Sequence, residues 1–338
     1  MSEQPKSQLN VILGTMTYGK PGIPNTLVND VKDVETILDI FQQHGHTDLD
    51  TARSYGQGTS EEYLAAAGWK KRGLQVSSKF FPTIMYGIDM PGLTSSTPEE
   101  LRKQVDNALK ALDTDSMDIF YLHVPDRTVP FEVTHKALDE LYKEGKFKRL
   151  GLSNFASWEV AEVVTLCKAN QWIVPSVYQC AYNVVERGIE PELLPCLRKF
   201  GIKFFAYCPL AAGFFTGRYL SETTTDVAPN SRFDSATQIG AYFRSRYWNE
   251  RHFKAIEITK AAVEKAGLTI PEAALRWLSH HSALKKEHGD AIIIGGSSVK
   301  HVQQNLDALD KGPLPEEVVK ALDEAYDVVK AKQTKYFY

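Results

Sequence analysis

The sequence predicts an α/β protein of one domain, a closed parallel (β/α)8 barrel of the TIM type, and three observations carry that prediction. Strand-like and helix-like runs alternate along nearly the whole 338-residue chain, the pattern of a parallel sheet covered by helices. No Pro-, Gly- or Ser-rich linker divides it, so residues 1–338 are expected to fold as a single unit. A doubly wound sheet would alternate similarly, but the first strand-to-helix turn lacks the Gly-x-Gly-x-x-Gly of a dinucleotide-binding sheet.

The elements follow in order. Residues 9–14 read as a first strand ending in the loop Gly14 to Gly19, and Val34, Ile37, Leu38 and Phe41 share one face of a helix from Val31 to His44. The alternation from His46 to Asp50 is a second strand, Glu61 to Trp69 a short helix, and Gln75 to Phe80 a third strand. Thr97-Pro-Glu-Glu opens a helix with a cap, a proline and early acids, running to about Leu112. Strands four to six are expected at Met117–His123, Phe147–Asn154 and Ser176–Tyr182, with helices at Phe131–Gly145 and Ser157–Ala169 between them. A helix between Glu190 and Phe200 leads to strand seven, Lys203–Pro209. The connection 210–249 then breaks the rhythm. Its length and its Arg and aromatic content predict an ordered functional loop. Helices at Arg251–Ala266 and Pro271–His280 precede strand eight, Asp290–Gly295; a helix Val299–Leu309 and a C-terminal helix and tail (314–338) complete the chain.

Composition narrows the function classes. With 43% hydrophobic and 24% charged residues, a net charge of -3 and a pI near 6.3, the chain has no basic or acidic block to favour nucleic acid or anionic membrane. The N-terminus lacks an apolar signal region and no run approaches a membrane span, which predicts a cytoplasmic protein. Cys167, Cys180, Cys196 and Cys208 show no C-x-x-C spacing and are expected as reduced structural thiols.

Chemistry enters with the second strand. His46, Asp48 and Asp50 alternate onto one face, and burying unpaired carboxylates costs several kcal/mol unless cations or donors meet them. Lys79 near the end of strand three and His123 at the end of strand four would share the C-terminal rim of a barrel with Asp50, and with Tyr55 in the loop beyond it. A lysine cation held by Asp50 would favour the Tyr55 phenolate, and His123 would orient a carbonyl oxygen or relay its proton. That describes an acid for a C=O under reduction, with hydride from a nicotinamide cofactor. Two alternatives stand beside it: Tyr55 and Lys79 as solvated surface residues, or His46, Asp48, Asp50 and His123 as ligands of a divalent metal, which Lys79 would repel.

Asp50-Thr-Ala-Arg-Ser-Tyr-Gly56, Ser78-Lys79, Tyr121-Leu-His123, Gly151-Leu-Ser-Asn-Phe155, Val177-Tyr-Gln179-Cys-Ala-Tyr-Asn183, Tyr207-Cys-Pro-Leu210 and Gly295-Gly-Ser-Ser298 together resemble the aldo-keto reductases. Leu122-His-Val-Pro-Asp126, the run Cys208 to Arg218 and the run Ser297 to Asn305 point to the aflatoxin-aldehyde reductase subgroup. The resemblance implies NADPH as cofactor and a cytoplasmic, detoxifying reductase of aldehydes, with dicarbonyl or carboxylate-bearing aldehydes as candidates. It makes Asp50, Tyr55, Lys79 and His123 the catalytic tetrad, with Tyr55 the acid. Ser153, Asn154 and Gln179 would hold the nicotinamide carboxamide. The pyrophosphate would lie along Tyr207, Cys208, Pro209, Leu210, Gly213, Gly217 and Arg218, and the adenosine phosphate against Gly295, Gly296, Ser297, Ser298, His301, Gln304 and Asn305. Met16, His123 and Arg246 are the expected substrate contacts, no metal is expected, and a homodimer is left open.

Each of these has a plainer reading. Ser153 and Asn154 also suit a helix cap, Gly213 and Gly217 a turn, and Arg218 a solvated surface. Gly295-Gly-Ser-Ser before a helix offers free N–H groups to an anion but is also ordinary barrel wiring. The chain departs from the family where His301 stands in place of a common Arg, which weakens the preference for NADP. It departs again where animal members of the subgroup end Tyr-Phe-Arg and this sequence has Tyr336-Phe-Tyr338. Arg244 and Arg246 could supply the lost grip on an acidic substrate, or pair with Glu250 or Asp234. The competing function is a cofactor-binding regulatory subunit of a membrane channel, a role the same fold also serves.

Overall fold

The computed structural model describes residues 7–83 and 95–338, so residues 1–6 of the N-terminal stretch read above lie outside it. Among the described residues eight parallel strands close in sequence order: β1 (Asn10–Gly14), β2 (Asp48–Asp50), β3 (Gln75–Phe80), β4 (Met117–Leu122), β5 (Phe147–Ser153), β6 (Val177–Ala181), β7 (Lys203–Tyr207) and β8 (Ala291–Ile294), which pairs back onto β1. The period of two sorts the side chains. Val11 and Leu13 join the layer between strands and helices, while Ile12 meets Ile119, Tyr121, Val177, Phe205 and Ile293 inside the barrel. Gly151 in β5 is required by this interior, since a Cβ there would lie 2.2 Å from the Tyr121 ring.

The covering helices are α1 (Val31–Gln43), α2 (Thr59–Ala66), α3 (Pro98–Ala111), α4 (Phe131–Lys143), α5 (Ser157–Ala169) and α6 (Leu193–Phe200). After β7 come α7 (Gln238–Tyr247), α8 (Glu250–Lys265), α9 (Ile270–His280), α10 (Val299–Leu309) and α11 (Glu316–Val329). Sequence signals at their starts are realised: the Thr97 hydroxyl accepts from the Glu100 N–H with Pro98 first in α3, and the Asp30 carboxylate accepts from the Lys32 N–H ahead of α1.

Two differences from the expected elements bear on the site. β2 begins at Asp48, not His46, because His46 turns out of the barrel and packs 5.4 Å from the Phe41 ring of α1. The long connection 210–249 contains α7, capped by the Thr237 hydroxyl on Gly240 N–H, which sequence periodicity missed because its buried residues are only Gly240, Phe243 and Tyr247. Phe214, Phe233, Tyr247, Trp248 and Phe253 form one aromatic cluster beneath that connection. Each buried ring contributes roughly 1.5–3 kcal/mol, so the segment is held as structure over the C-terminal rim of the barrel.

Candidate active site

Asp50 ends β2 opposite Ser77, and Lys79, two residues along β3, therefore faces the same interior. Lys79 has no exposed surface, and its Nζ donates to Asp50 Oδ2 at 2.6 Å and to the Thr51 carbonyl at 2.8 Å. The second Asp50 oxygen accepts from Gln179 Nε2 at 2.9 Å. Burial by itself disfavours the ammonium, but the Asp50 charge and then Tyr55 outweigh it, and the Lys79 pKa is raised. The amine is charged at neutral pH.

Tyr55 opens a 3-10 turn, Tyr55–Gly58, whose next residues Gly56 (φ 53°), Gln57 (φ 53°) and Gly58 (φ 90°) are all left-handed. For Gln57 that conformation costs on the order of 1–2 kcal/mol, which the surrounding contacts must offset. The turn delivers the phenol to the ammonium: Lys79 Nζ lies 3.4 Å from the Tyr55 oxygen and 4.8 Å from its ring centroid. Contrary to the sequence expectation, the Tyr55 pKa is raised, because burial outweighs the lowering influence of Lys79. The phenol therefore keeps its proton at neutral pH, with a cation beside it that would stabilise a phenolate.

His123 follows β4 and places its ring 5.9 Å from Tyr55 and 5.3 Å from Phe81, edge-on to both. Burial, and second the Lys79 charge, hold its pKa well below the usual imidazole range, so the ring is neutral. Its Nδ1 is buried without a hydrogen-bond partner among the described residues, an orphaned polar atom beside the phenol. The residues of the metal alternative are not brought together. His46 Nε2 sits 3.5 Å from Ser7 Oγ, Asp48 accepts from Asn10 at 2.8 Å, and Asp50 is held by Lys79. Among the described residues no group of three His, Cys, Asp or Glu side chains is suited to a metal ion.

The expected cofactor residues fall into two groups. Ser153, Asn154, Gln179 and Tyr207 are continuous with the tetrad through hydrogen bonds: Asn154 Nδ2 donates to the His123 carbonyl and to Ser153 Oγ, both at 2.9 Å, and Asn154 Oδ1 accepts from the Tyr207 hydroxyl at 2.8 Å. After β7 the backbone is contorted, with Cys208 (φ 54°), Ala211 (φ 48°), Ala212 (φ 59°) and Gly213 (φ 95°) left-handed. The turn is closed on itself, with the Ala211 N–H donating to the Cys208 carbonyl and the Gly213 N–H to that of Leu210, both at 2.9 Å. Pro209 is buried beside partly buried Leu210, Gly217 packs on Ile270, and Arg218 lies exposed over the Tyr219 ring.

The second group gathers where β8 meets α10. Ser298 caps α10 by accepting from His301 N–H, and Ser297 Oγ lies 2.9 Å from His301 Nδ1. Asn305 donates to the Gly295 carbonyl at 2.9 Å, Thr17 donates to that of Gly296 at 2.7 Å, and Gln304 is exposed on the next turn. The α10 N-terminus with its hydroxyls suits the phosphate of a dinucleotide, and the unpartnered His123 nitrogen leaves room for a polar group beside the phenol.

The substrate side differs from expectation. Arg246 is neutralised by Glu186, with which it forms an ion pair, and its Nη1 donates to the Tyr242 hydroxyl at 3.2 Å. Arg244 donates to the Phe233 carbonyl and stacks 4.0 Å from the Trp248 centroid, so neither arginine pairs with Glu250 or Asp234. Tyr338 closes the run Tyr336-Phe-Tyr338. Its N–H donates to the Asn154 carbonyl at 3.1 Å, its carbonyl accepts from Arg127 at 2.6 Å, and its hydroxyl meets that of Tyr242. Arg232, missed in the sequence because it lies in an aperiodic polar segment, reaches from the long connection to Met16 Sδ at 3.6 Å and close enough to lower the Tyr55 pKa slightly. Among the described residues no carboxylate pairs with it.

Known proteins match the chain over nearly its whole length. A model described as the aldo/keto reductase family matches residues 10–327. The chain is 45% identical over 340 residues to aldo-keto reductase pigE of Monascus ruber, covering 100% of this chain and 99% of that protein. It is 41% identical over 345 residues to aflatoxin B1 aldehyde reductase member 2 of Homo sapiens, covering 100% of this chain and 92% of that protein. With oxidoreductase sirO of Leptosphaeria maculans it shares 31% identity over 329 residues, 96% of each chain. Nothing in these comparisons supports the channel-subunit alternative. Among the described residues no helix is long and apolar enough to cross a membrane.

Proposed function

The chain belongs to the aldo/keto reductase family, and from that premise we propose that it reduces aldehydes to alcohols with NADPH, Tyr55 giving the proton to the carbonyl oxygen. The observation that carries this reading is the Lys79 ammonium, 2.6 Å from Asp50 and 3.4 Å from a phenol that is protonated at neutral pH. NADPH, when bound, supplies hydride to the carbonyl carbon. The protein does the rest. Neutral His123 donates a hydrogen bond to the carbonyl oxygen, Tyr55 transfers its proton to that oxygen, and Lys79, held by Asp50, stabilises the phenolate that remains. Ser153, Asn154 and Gln179 would orient the nicotinamide, the segment from Cys208 to Arg218 would line the pyrophosphate, and Ser297, Ser298 and His301 would take the adenosine phosphate.

The test is the rate of NADPH oxidation over short, aromatic, dicarbonyl and carboxylate-bearing aldehydes, with NADH in parallel. Turnover with NADPH well above that with NADH is expected. No turnover with either cofactor on any of these aldehydes would sink the reading.

For aldehydes that also carry a carboxylate, Arg232 is the expected grip, since Arg246 is already neutralised by Glu186. A hydrogen bond to a charged group contributes about 1.5–3 kcal/mol, so Arg232→Met should raise KM for such substrates by about tenfold or more. For uncharged aldehydes KM should hardly move. An equal loss on both, together with weaker NADPH binding, would assign Arg232 to the cofactor phosphates instead.

A further inference from the structure

We propose that Glu61 is a positioning residue for proton delivery, its buried carboxylate tying the turn that carries Tyr55 to the strand that carries Lys79. The inference rests on the reading of Tyr55 as the proton donor.

Glu61 lies in the first turn of α2, where an acid ordinarily faces solvent and favours the positive end of the helix. Here its side chain has no exposed surface. A carboxylate so enclosed has to be met by donors, and the two that meet it come from different elements. Arg53, two residues before Tyr55, forms an ion pair with Oε2, and Ser78, the neighbour of Lys79, donates to Oε1 at 2.6 Å. Because side chains alternate along β3, Ser78 points away from the barrel interior into which Lys79 points. One carboxylate thus fixes, from behind, both residues whose neighbours make the Tyr55–Lys79 contact.

That contact is sensitive to small movements. At 3.4 Å it is already long for a hydrogen bond, and it depends on a turn with left-handed residues at 56, 57 and 58. The backbone between the two elements is joined by Thr51 N–H to the Ser77 carbonyl at 2.9 Å and by Arg53 N–H to the Lys79 carbonyl at a weak 3.4 Å. Arg53 also supports the turn from below, since a Cβ at Gly58 would lie 2.3 Å from its Nη2. If Arg53 were released from Glu61, the turn would lose its charged anchor, and Tyr55 could drift from Lys79 while the cofactor groups on β5 to β8 stayed in place.

The test compares Glu61→Gln with the unaltered protein, using NADPH and an uncharged aromatic aldehyde. Glutamine keeps the shape and an acceptor for Ser78 but removes the charge that holds Arg53. Because a shift of about 1 Å costs up to about 100-fold in rate, kcat should fall about ten- to a hundredfold. KM and the Kd for NADPH, read by fluorescence, should stay within about twofold, since neither depends on proton transfer. The solvent deuterium isotope effect on kcat should grow, because the slowed step moves a proton. Unchanged kcat would overturn the inference. So would a loss of kcat matched by weaker NADPH binding with an unchanged isotope effect, the mark of general loosening. Should Glu61→Gln fail to fold, Ser78→Ala removes one donor and leaves the ion pair; it should lower kcat severalfold with the same isotope signature, and unchanged kcat there counts equally against the inference. Tyr55→Phe in the same series separates the two readings: if it still turns over, the proton-donor assignment fails, and if it is dead while Glu61→Gln is normal, only the role of Glu61 fails.

Discussion

Tyr55→Phe should abolish carbonyl reduction while leaving NADPH binding and stability intact. The substitution removes one oxygen whose hydrogen bond to Lys79, at 3.4 Å, is weak, and it keeps the ring that packs edge-on to His123 and beneath the ammonium. Loss of a general acid lowers the rate by about 10²- to 10⁴-fold, and no neighbour replaces this one: His123 is neutral, and the Lys79 ammonium is committed to Asp50. Steady-state kcat against NADPH fluorescence titration separates the two effects. The pH dependence has a definite sign. Reduction needs the protonated phenol, whose pKa burial raises above the ordinary value of about 10, so kcat should be level through neutral pH and fall only in strong alkali. Alcohol oxidation, which needs the phenolate, should rise over the same alkaline range. A reductive rate that already declines between about pH 7 and 8 would contradict the assignment.

Much of this site was legible in the chain because of one electrostatic demand. An acidic residue at the end of a buried strand had to be answered, and the strand ends after it offered Lys79 and His123. The barrel was legible for a similar reason, since strands alternating with helical periods leave few closed arrangements. What stayed hidden depends on three-dimensional neighbours. Glu61 looked like an ordinary helix-opening acid, because nothing in its local sequence announces that Ser78 and Arg53 will enclose it. Arg246 looked free because its partner Glu186 lies 60 residues away in the chain. The direction of the Tyr55 shift was misread because proximity to a cation can be seen in a spacing argument, whereas the extent of burial cannot. Helix α7 escaped because its buried face is too sparse to mark a period.

Lys79→Met should damage folding and chemistry together, and the two losses should be separable by a second substitution. Methionine fills most of the space of the lysine stem but leaves the Asp50 carboxylate buried with, among the described residues, only Gln179 to meet it. Removing one partner of a buried ion pair costs about 3–5 kcal/mol, which denaturant unfolding would read directly. The loss applies fully at neutral pH. The folded Lys79 pKa is raised, so the ammonium contributes its stability at every pH below the unfolded lysine value of about 10.4 and gives it up only as pH climbs through the folded value. Catalysis suffers separately: without the cation the phenolate left by proton transfer has no counter-charge, and removing a group aimed at developing charge costs about 10²- to 10³-fold in kcat. Adding Asp50→Asn removes the orphaned charge while keeping an acceptor for Gln179, so the double variant should recover most of the lost stability. Its kcat should stay low. Recovery of kcat along with stability would mean that Lys79 only props the barrel open, and the ammonium would then have no part in moving the proton.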